Sequence, residues 1–203
     1  EKYHSFRATI EAVNPDWQVM VHDDASLRKA VLEFSEEAAA AYDSFDVMHQ
    51  KIDFGRFCVL AKWGGVSMDM DESCLSSLDD FISTVPAQTE VIVSPKWTLG
   101  HVFSFVRDRL LDNVAIQCNN ANVFVGRSAD ENGNPSCPES WRMTVTALMN
   151  ICTQAQASRS YTTSSDWWKV TNTTGPVSFS RAISTVTKSF PARVFVPQQR
   201  CVE

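Results

Sequence analysis

The sequence predicts an α/β layered domain, on two observations. Short apolar runs, Glu90 to Val93 and Asn122 to Val125 among them, alternate with longer stretches of helical spacing, which is the pattern of strands interleaved with helices. A chain of 203 residues that is 44% hydrophobic is also long enough for one sizeable core, so residues 1–203 are read as a single domain.

Taken in order, Trp17 to Val21 reads as a strand, followed by Asp23-Asp24-Ala25-Ser26 as a loop and helix cap. Leu27 to Phe45 is predicted to be one helix with an alanine-rich middle. Asp46 is placed to cap the next helix, in which Met48, Ile52, Phe57 and Leu60 recur at helical spacing, and Gly64-Gly65 stops it. Val66 to Met68 is then a short apolar strand running into Asp69-Met70-Asp71. Beyond the strand at Glu90 lies a weaker apolar stretch, His101 to Leu111. After the strand at Asn122, the polar run Ser128 to Pro138 reads as a loop rich in Gly, Pro, Asn and Asp. Pro138 suits the first turn of a helix reaching about Ala157. Thr174-Gly175-Pro176 opens another helix to about Ser189, and Arg193 to Val196 is the last strand.

Composition narrows the function. A net charge of −6 argues against a nucleic-acid binder, which carries a basic patch or stripe, so an anionic substrate would need local help from a metal or a few arginines. No apolar run approaches the ~18–20 residues of a membrane span, no signal peptide is recognisable at Glu1, and the chain reads as soluble. The cysteines, Cys58, Cys74, Cys118, Cys137, Cys152 and Cys201, are scattered without a CxxC pair, which favours buried free thiols over zinc or a disulfide framework. His4, His22, His49 and His101 show no metal-ligand spacing and are read as structural. Asn172-Thr173-Thr174 is the one unambiguous glycan acceptor. It abuts a segment read as functional, which favours a cytoplasmic setting, bacterial or in an infected host cell, over the Golgi lumen.

The chemistry concentrates between residues 47 and 75. In an extended chain the side chains of Asp69 and Asp71 point the same way, so both carboxylates can share one hard divalent cation. Mg²⁺ and Mn²⁺ are commonly held by one or two carboxylates and completed by substrate phosphates. Asp53 and Arg56, three apart on the preceding helix, share a face and can reach one ligand, although a plain surface ion pair is an equal reading.

These residues carry a resemblance. Asp53-x-x-Arg56, Leu60, Gly64-Gly65-Val66 and Asp69-x-Asp71 together resemble the sugar-donor signature of the DXD-containing glycosyltransferases of family 32. That family includes yeast Golgi mannosyltransferases and capsular-polysaccharide transferases, and a viral surface-glycan enzyme would also suit the chain. Asn14-Pro15-Asp16-Trp17 with Asp23-Asp24, Asn119-Asn120-Ala121 and Thr174-Gly175-Pro176 resemble three further family blocks in the same order. The resemblance implies a GT-A fold, a Rossmann-like mixed sheet flanked by helices. It also implies transfer of a hexose from a nucleotide-diphosphate sugar, UDP-sugar before GDP-mannose, to a glycan or glycoprotein acceptor, with retention.

By the same resemblance Asp69 and Asp71 bind Mn²⁺ or Mg²⁺, with Asp71 serving catalysis through that metal, and Asp53 and Arg56 hold the donor sugar. Asn120 would touch the sugar or the reacting centre and Asn119 would support donor binding, the alternative being strand-end amides that satisfy nearby backbone. Gly175 could offer backbone N–H groups to a phosphate or simply cap its helix. Asp166 is the candidate base if configuration inverts. Trp167-Trp168 could stack on an acceptor sugar, against a default of core packing. Two departures stand out: the family's first strand has no counterpart before Glu1, and its C-terminal metal-binding His has no match among Gln198 to Glu203. Two other readings stay open. One is a non-catalytic carbohydrate- or nucleotide-binding relic of the fold. The other is a DxD phosphatase or phosphotransferase, which would want Thr or Val where Glu72 stands.

Overall fold

The computed structural model describes residues 2–95, 118–158, 161 and 165–197. Helix α1 (Lys2–Val13) leads through an irregular segment to α2 (Asp24–Phe34), α3 (Glu36–Asp43) and α4 (Met48–Trp63). Strand β1 (Gly65–Ser67), helix α5 (Leu78–Ser83), strands β2 (Val91–Pro95) and β3 (Cys118–Val125) and a small hairpin, β4 (Ser128–Ala129) with β5 (Pro135–Ser136), follow. Helices α6 (Glu139–Gln156), α7 (Asp166–Thr173) and α8 (Pro176–Ser189) and strand β6 (Val194–Phe195) complete it. The main sheet is mixed, in the order β1-β3-β2-β6, with β3 antiparallel to both neighbours and β6 parallel to β2. The predicted α/β class holds, with helices packed on a mixed sheet.

Several expected elements are placed differently, each for a local reason. Trp17 to Val21 is not a strand. Its alternating apolar residues find no partner to complete a ladder among the described residues, and Met20 and Val21 stay exposed. The expected helix from Leu27 to Phe45 breaks at Ser35. There the backbone is extended, and the Ser35 hydroxyl accepts the Ala38 N–H at 3.0 Å, starting a new helix. Asp46 does not cap α4: Gln50 Oε1 accepts the Val47 N–H at 3.1 Å, and Asp46 pairs instead with Lys169 at 2.9 Å. The polar run from Ser128 folds as a hairpin because Asp130 Oδ1 accepts the N–H groups of Asn132 and Asn134, both at 2.8 Å, and Gly133 takes a φ of 80°. His101 to Leu111 and Cys201 lie outside the described residues. The other five cysteines are free thiols, and four of them are buried.

Helix α4 is the pivot between core and site. Its Phe54, Phe57, Cys58 and Leu60 are buried, and Phe57 stacks on Phe179 with centroids 4.8 Å apart. Trp141 meets Phe57 edge-on at 5.7 Å, and its indole N–H donates to the Phe57 carbonyl at 3.0 Å, so a large buried ring keeps its polar atom satisfied. Gly64 ends the helix at a φ of +67°, where a Cβ would stand 3.0 Å from the Val125 carbonyl oxygen. The chain therefore turns directly into β1 against β3, from Gly65↔Val125 to Ser67↔Val123.

Helix α7 is fastened to the start of α4. The fully buried Gln50 donates to Thr173 Oγ1 at 2.7 Å and to Tyr161 Oη at 3.1 Å, while the Cys152 thiol donates to the Thr173 carbonyl at 2.9 Å. That junction fixes where Thr174 and Gly175 enter α8.

Candidate active site

The site forms where α4, the turn after β1, β3 and the start of α8 meet. Arg56 Nη1 donates to Asp69 Oδ1 at 2.7 Å, and Nη2 lies 3.6 Å from Asp53 Oδ1. The two α4 side chains are mostly shielded, Arg56 at 17% exposure and Asp53 at 14%, whereas Asp69 at 39% faces solvent. The Thr174 hydroxyl, itself buried, reaches Asp53 Oδ2 at 3.5 Å. Residues from the sugar-donor signature and from the Thr174 block thus touch within one cluster.

Asp69 and Asp71 do not lie on an extended strand as expected. The ladder with β3 ends at Ser67, and Asp69-Met70-Asp71-Glu72 closes a tight turn in which the Glu72 N–H donates to the Asp69 carbonyl at 3.1 Å. Glu72 also acts through its side chain. Oε2 accepts the Asp69 N–H at 3.1 Å and Oε1 accepts Asn122 Nδ2 at 2.9 Å. Asp71 is exposed on this turn.

Hard carboxylate oxygens are therefore presented on an open turn. Among the described residues, however, no group of three or more His, Cys, Asp or Glu is gathered to hold a metal ion. The donor set fits a divalent cation that arrives with phosphate oxygens to complete its shell, not a closed protein cage.

Gly175 proves to be a packing position as well as a candidate for phosphate binding. A Cβ there would stand 2.9 Å from the Val170 carbonyl oxygen and 3.1 Å from Thr171 Cα, and the Gly175 N–H already donates to Val170 O at 2.7 Å. Asp166 opens α7 and is exposed, at the opposite end of that helix from Thr174. At about 1.5 Å per residue the two are roughly 12 Å apart along the axis. Asn119 and Asn120 lie on β3, but their side chains, like those of Trp167 and Trp168, fall outside the described residues.

The early Asn14-Pro15-Asp16-Trp17 block has a structural role here. Asn14, 3% exposed, accepts the Leu78 N–H at 2.7 Å and donates to the Ile10 carbonyl at 3.1 Å and to Cys74 Sγ at 3.3 Å. Trp17 Nε1 is shared between both oxygens of Asp79 at 3.1 Å. Together they pin the chain leaving the carboxylate turn against the end of α1. Asp23 caps α2 through the Ser26 N–H at 2.8 Å.

Comparison with known proteins agrees with the lead taken from the motifs. Residues 3–91 match the family model described as the glycosyltransferase sugar-binding region containing DXD motif. That is the family the sequence resembles. The matched region holds Asp53, Arg56, Asp69 and Asp71, while the Asn119 and Thr174 blocks lie beyond it. An uncharacterized glycosyltransferase of Acanthamoeba polyphaga mimivirus is 39% identical over 49 residues, 24% of this chain and 20% of that protein. Inositol phosphoceramide mannosyltransferase 3 of Schizosaccharomyces pombe is 26% identical over 82 residues, 40% of this chain and 23% of that protein. The matches thus span less than a quarter of these curated relatives. No solved structure matches the chain.

Glu72 and Asn122 are contributors that reading the motifs did not single out, and Thr174, quoted there only as part of its block, is the partner of Asp53. Glu72 carried a signal, since an acidic side chain at the last position of a four-residue turn can reach back to the first residue's amide. Asn122 carried none in isolation, because its role depends on the register between β1 and β3.

Proposed function

We propose that this chain provides the donor-binding part of a metal-dependent glycosyltransferase. It would move a hexose from a nucleotide-diphosphate sugar, UDP-sugar before GDP-mannose, to a glycan or glycoprotein acceptor. The observation that carries the reading is the convergence of Asp53, Arg56 and Asp69 with Thr174 in one cluster at the end of β1. The family match over residues 3–91 and relatives named as glycosyltransferase and mannosyltransferase support it.

In this reading Asp69 and Asp71 hold Mn²⁺ or Mg²⁺ against the donor diphosphate. The cation supplies charge neutralisation as the nucleoside diphosphate departs. Arg56 adds a fixed positive fork of the kind that binds sugar hydroxyl oxygens or phosphate. Asp53, held in place by Arg56 and Thr174, accepts hydrogen bonds from the sugar hydroxyls. Asn119 and Asn120 sit on β3, the strand that also carries Asn122, as further donor-side contacts, and the start of α8 at Gly175 lies against the same cluster.

The bond from the anomeric carbon to the diphosphate oxygen breaks, a bond to an acceptor hydroxyl oxygen forms, and that hydroxyl's proton leaves. Transfer with retention needs no separate protein base, which agrees with Asp166 lying at the far end of α7. An inverting reaction would instead require Asp166 or another base beside the acceptor.

The test is Asp71→Asn. This exposed substitution should leave the melting temperature of the free protein unchanged and abolish Mn²⁺-dependent binding of the nucleotide sugar in calorimetry. Wild-type donor affinity in the variant would remove the metal clamp from the account.

A further inference from the structure

We infer that Glu72 and Asn122 are positioning residues that hold the carboxylate turn in its cation-binding shape, an inference that rests on the proposed metal-dependent function. The turn after β1 leaves its ladder at Ser67, so among the described residues no ladder pairing fixes Asp69 to Glu72. Glu72 supplies what the sheet does not. Its backbone N–H closes the turn onto the Asp69 carbonyl, and its carboxylate bonds the Asp69 N–H on one side and Asn122 on the other.

Asn122 is next in register after the last paired residues, Ser67 and Val123, so the β1–β3 pairing itself delivers its amide to the departing chain. Both oxygens of Glu72 are thereby engaged, at 2.9 and 3.1 Å, within the polypeptide. This occupancy assigns Glu72 to holding the turn and leaves Asp71, together with the Asp69 oxygen that does not face Arg56, to meet a cation. Outer partners of metal-binding carboxylates set their orientation, and their loss commonly weakens metal affinity about 10–100-fold.

The chemistry of the clamp gives a discriminating pair of variants. Glu72→Gln can keep both contacts: its Oε1 accepts the Asp69 N–H, and its Nε2 donates to Asn122 Oδ1 once that amide flips. Glu72→Ala keeps neither. Both variants remove one negative charge, so the difference between them isolates the hydrogen bonds from the electrostatics.

The experiment measures Mn²⁺ affinity at a fixed concentration of UDP by the electron paramagnetic resonance signal of the free ion, and exchange of the Asp69 amide by NMR, in the wild type, both Glu72 variants and Asn122→Ala. The Ala variant should bind Mn²⁺ at least about tenfold more weakly than the Gln variant. It should also exchange the Asp69 amide faster, with Asn122→Ala shifted in the same direction by less. Equal Mn²⁺ affinities in Glu72→Ala and Glu72→Gln, or an Asp69 amide as protected in Glu72→Ala as in wild type, would overturn the clamp. Failure of the wild type to bind Mn²⁺ with UDP present would overturn the functional reading beneath it, and with it any role of Glu72 in cation binding, whatever the amide exchange shows.

Discussion

Arg56 is in contact with two carboxylates that belong to different elements, and this pairing explains why residues thirteen apart behave as one group. Burial of the guanidinium beside Asp53 makes the pair more than a solvated surface contact, because water is kept from most of both side chains. Of the two equal readings that the sequence left open, a surface ion pair or a shared ligand face, the ion pair forms, in a shielded setting and not on an exposed surface. A guanidinium that reads sugar hydroxyls predicts an unequal loss in Arg56→Ala: binding of the nucleotide sugar should weaken about tenfold or more, and binding of the bare nucleotide by less, in calorimetry. Equal losses would move Arg56 away from the sugar.

Residue chemistry also sets the behaviour of the buried thiols. Burial pushes Cys58, Cys118 and Cys152 well above the ordinary thiol range, Cys118 up to about 12. Unfolded cysteine ionises near pH ~8.5, so between that pH and about 12 the native state holds protons that the unfolded state has lost. Stability contributed by the neutral thiols is complete below the unfolded value and falls as pH rises above it. Chemical denaturation between pH 9 and 10.5 should show a stability loss that is shallower in Cys118→Ala by up to about 1.4 kcal/mol per pH unit. An unchanged slope would show that Cys118 ionises as easily in the fold as outside it.

Elements place these residues, and the sequence revealed some elements more clearly than others. Helices α6 and α8 were legible because proline marks each start and apolar spacing runs through each body, and β2, β3 and β6 were legible as short apolar runs. The break at Ser35 was missed because the alanine-rich stretch is helical on both sides. Its signal, a serine followed by Glu36 and Glu37, was present as an N-cap pattern. Trp17 to Val21 has strand periodicity and no strand partner among the described residues, which periodicity alone cannot reveal. The turn at Asp69 was read as a strand end because the reciprocal bonds of Glu72 depend on backbone closure.

At this scale Gly175 is the sensitive joint. Backbone atoms of Val170 and Thr171 leave no room for a Cβ, so Gly175→Ala should cost about 1–3 kcal/mol in urea denaturation. Displacing the α7–α8 junction should also move Thr174 from Asp53 and weaken donor binding. A variant as stable as the wild type would mean that the junction can open without effect.

Across the whole molecule, one buried cluster runs from Val31 in α2 to Val194 in β6, and α4 crosses it with one face in the core and Asp53 and Arg56 at the site. The functional blocks are far apart in sequence and meet only because α4, β1, β3 and the α7–α8 junction pack on that cluster. The family resemblance was legible from motif order, and the family match covers the segment carrying the carboxylates. The contacts that hold them, from Asn14, Glu72, Asn122 and Thr174, required the fold.

The central claim is that this cluster binds a nucleotide-diphosphate sugar through a divalent cation. A thermal-shift panel of UDP, GDP and CMP and their sugar conjugates, with and without Mn²⁺, tests it most directly. Saturation at about 100 times the dissociation constant should add about 2.7 kcal/mol of stability. The account predicts a Mn²⁺-dependent rise in melting temperature with one nucleotide family, UDP first, and a larger rise with its sugar conjugate. No shift with any nucleotide, or a shift indifferent to Mn²⁺, would contradict it.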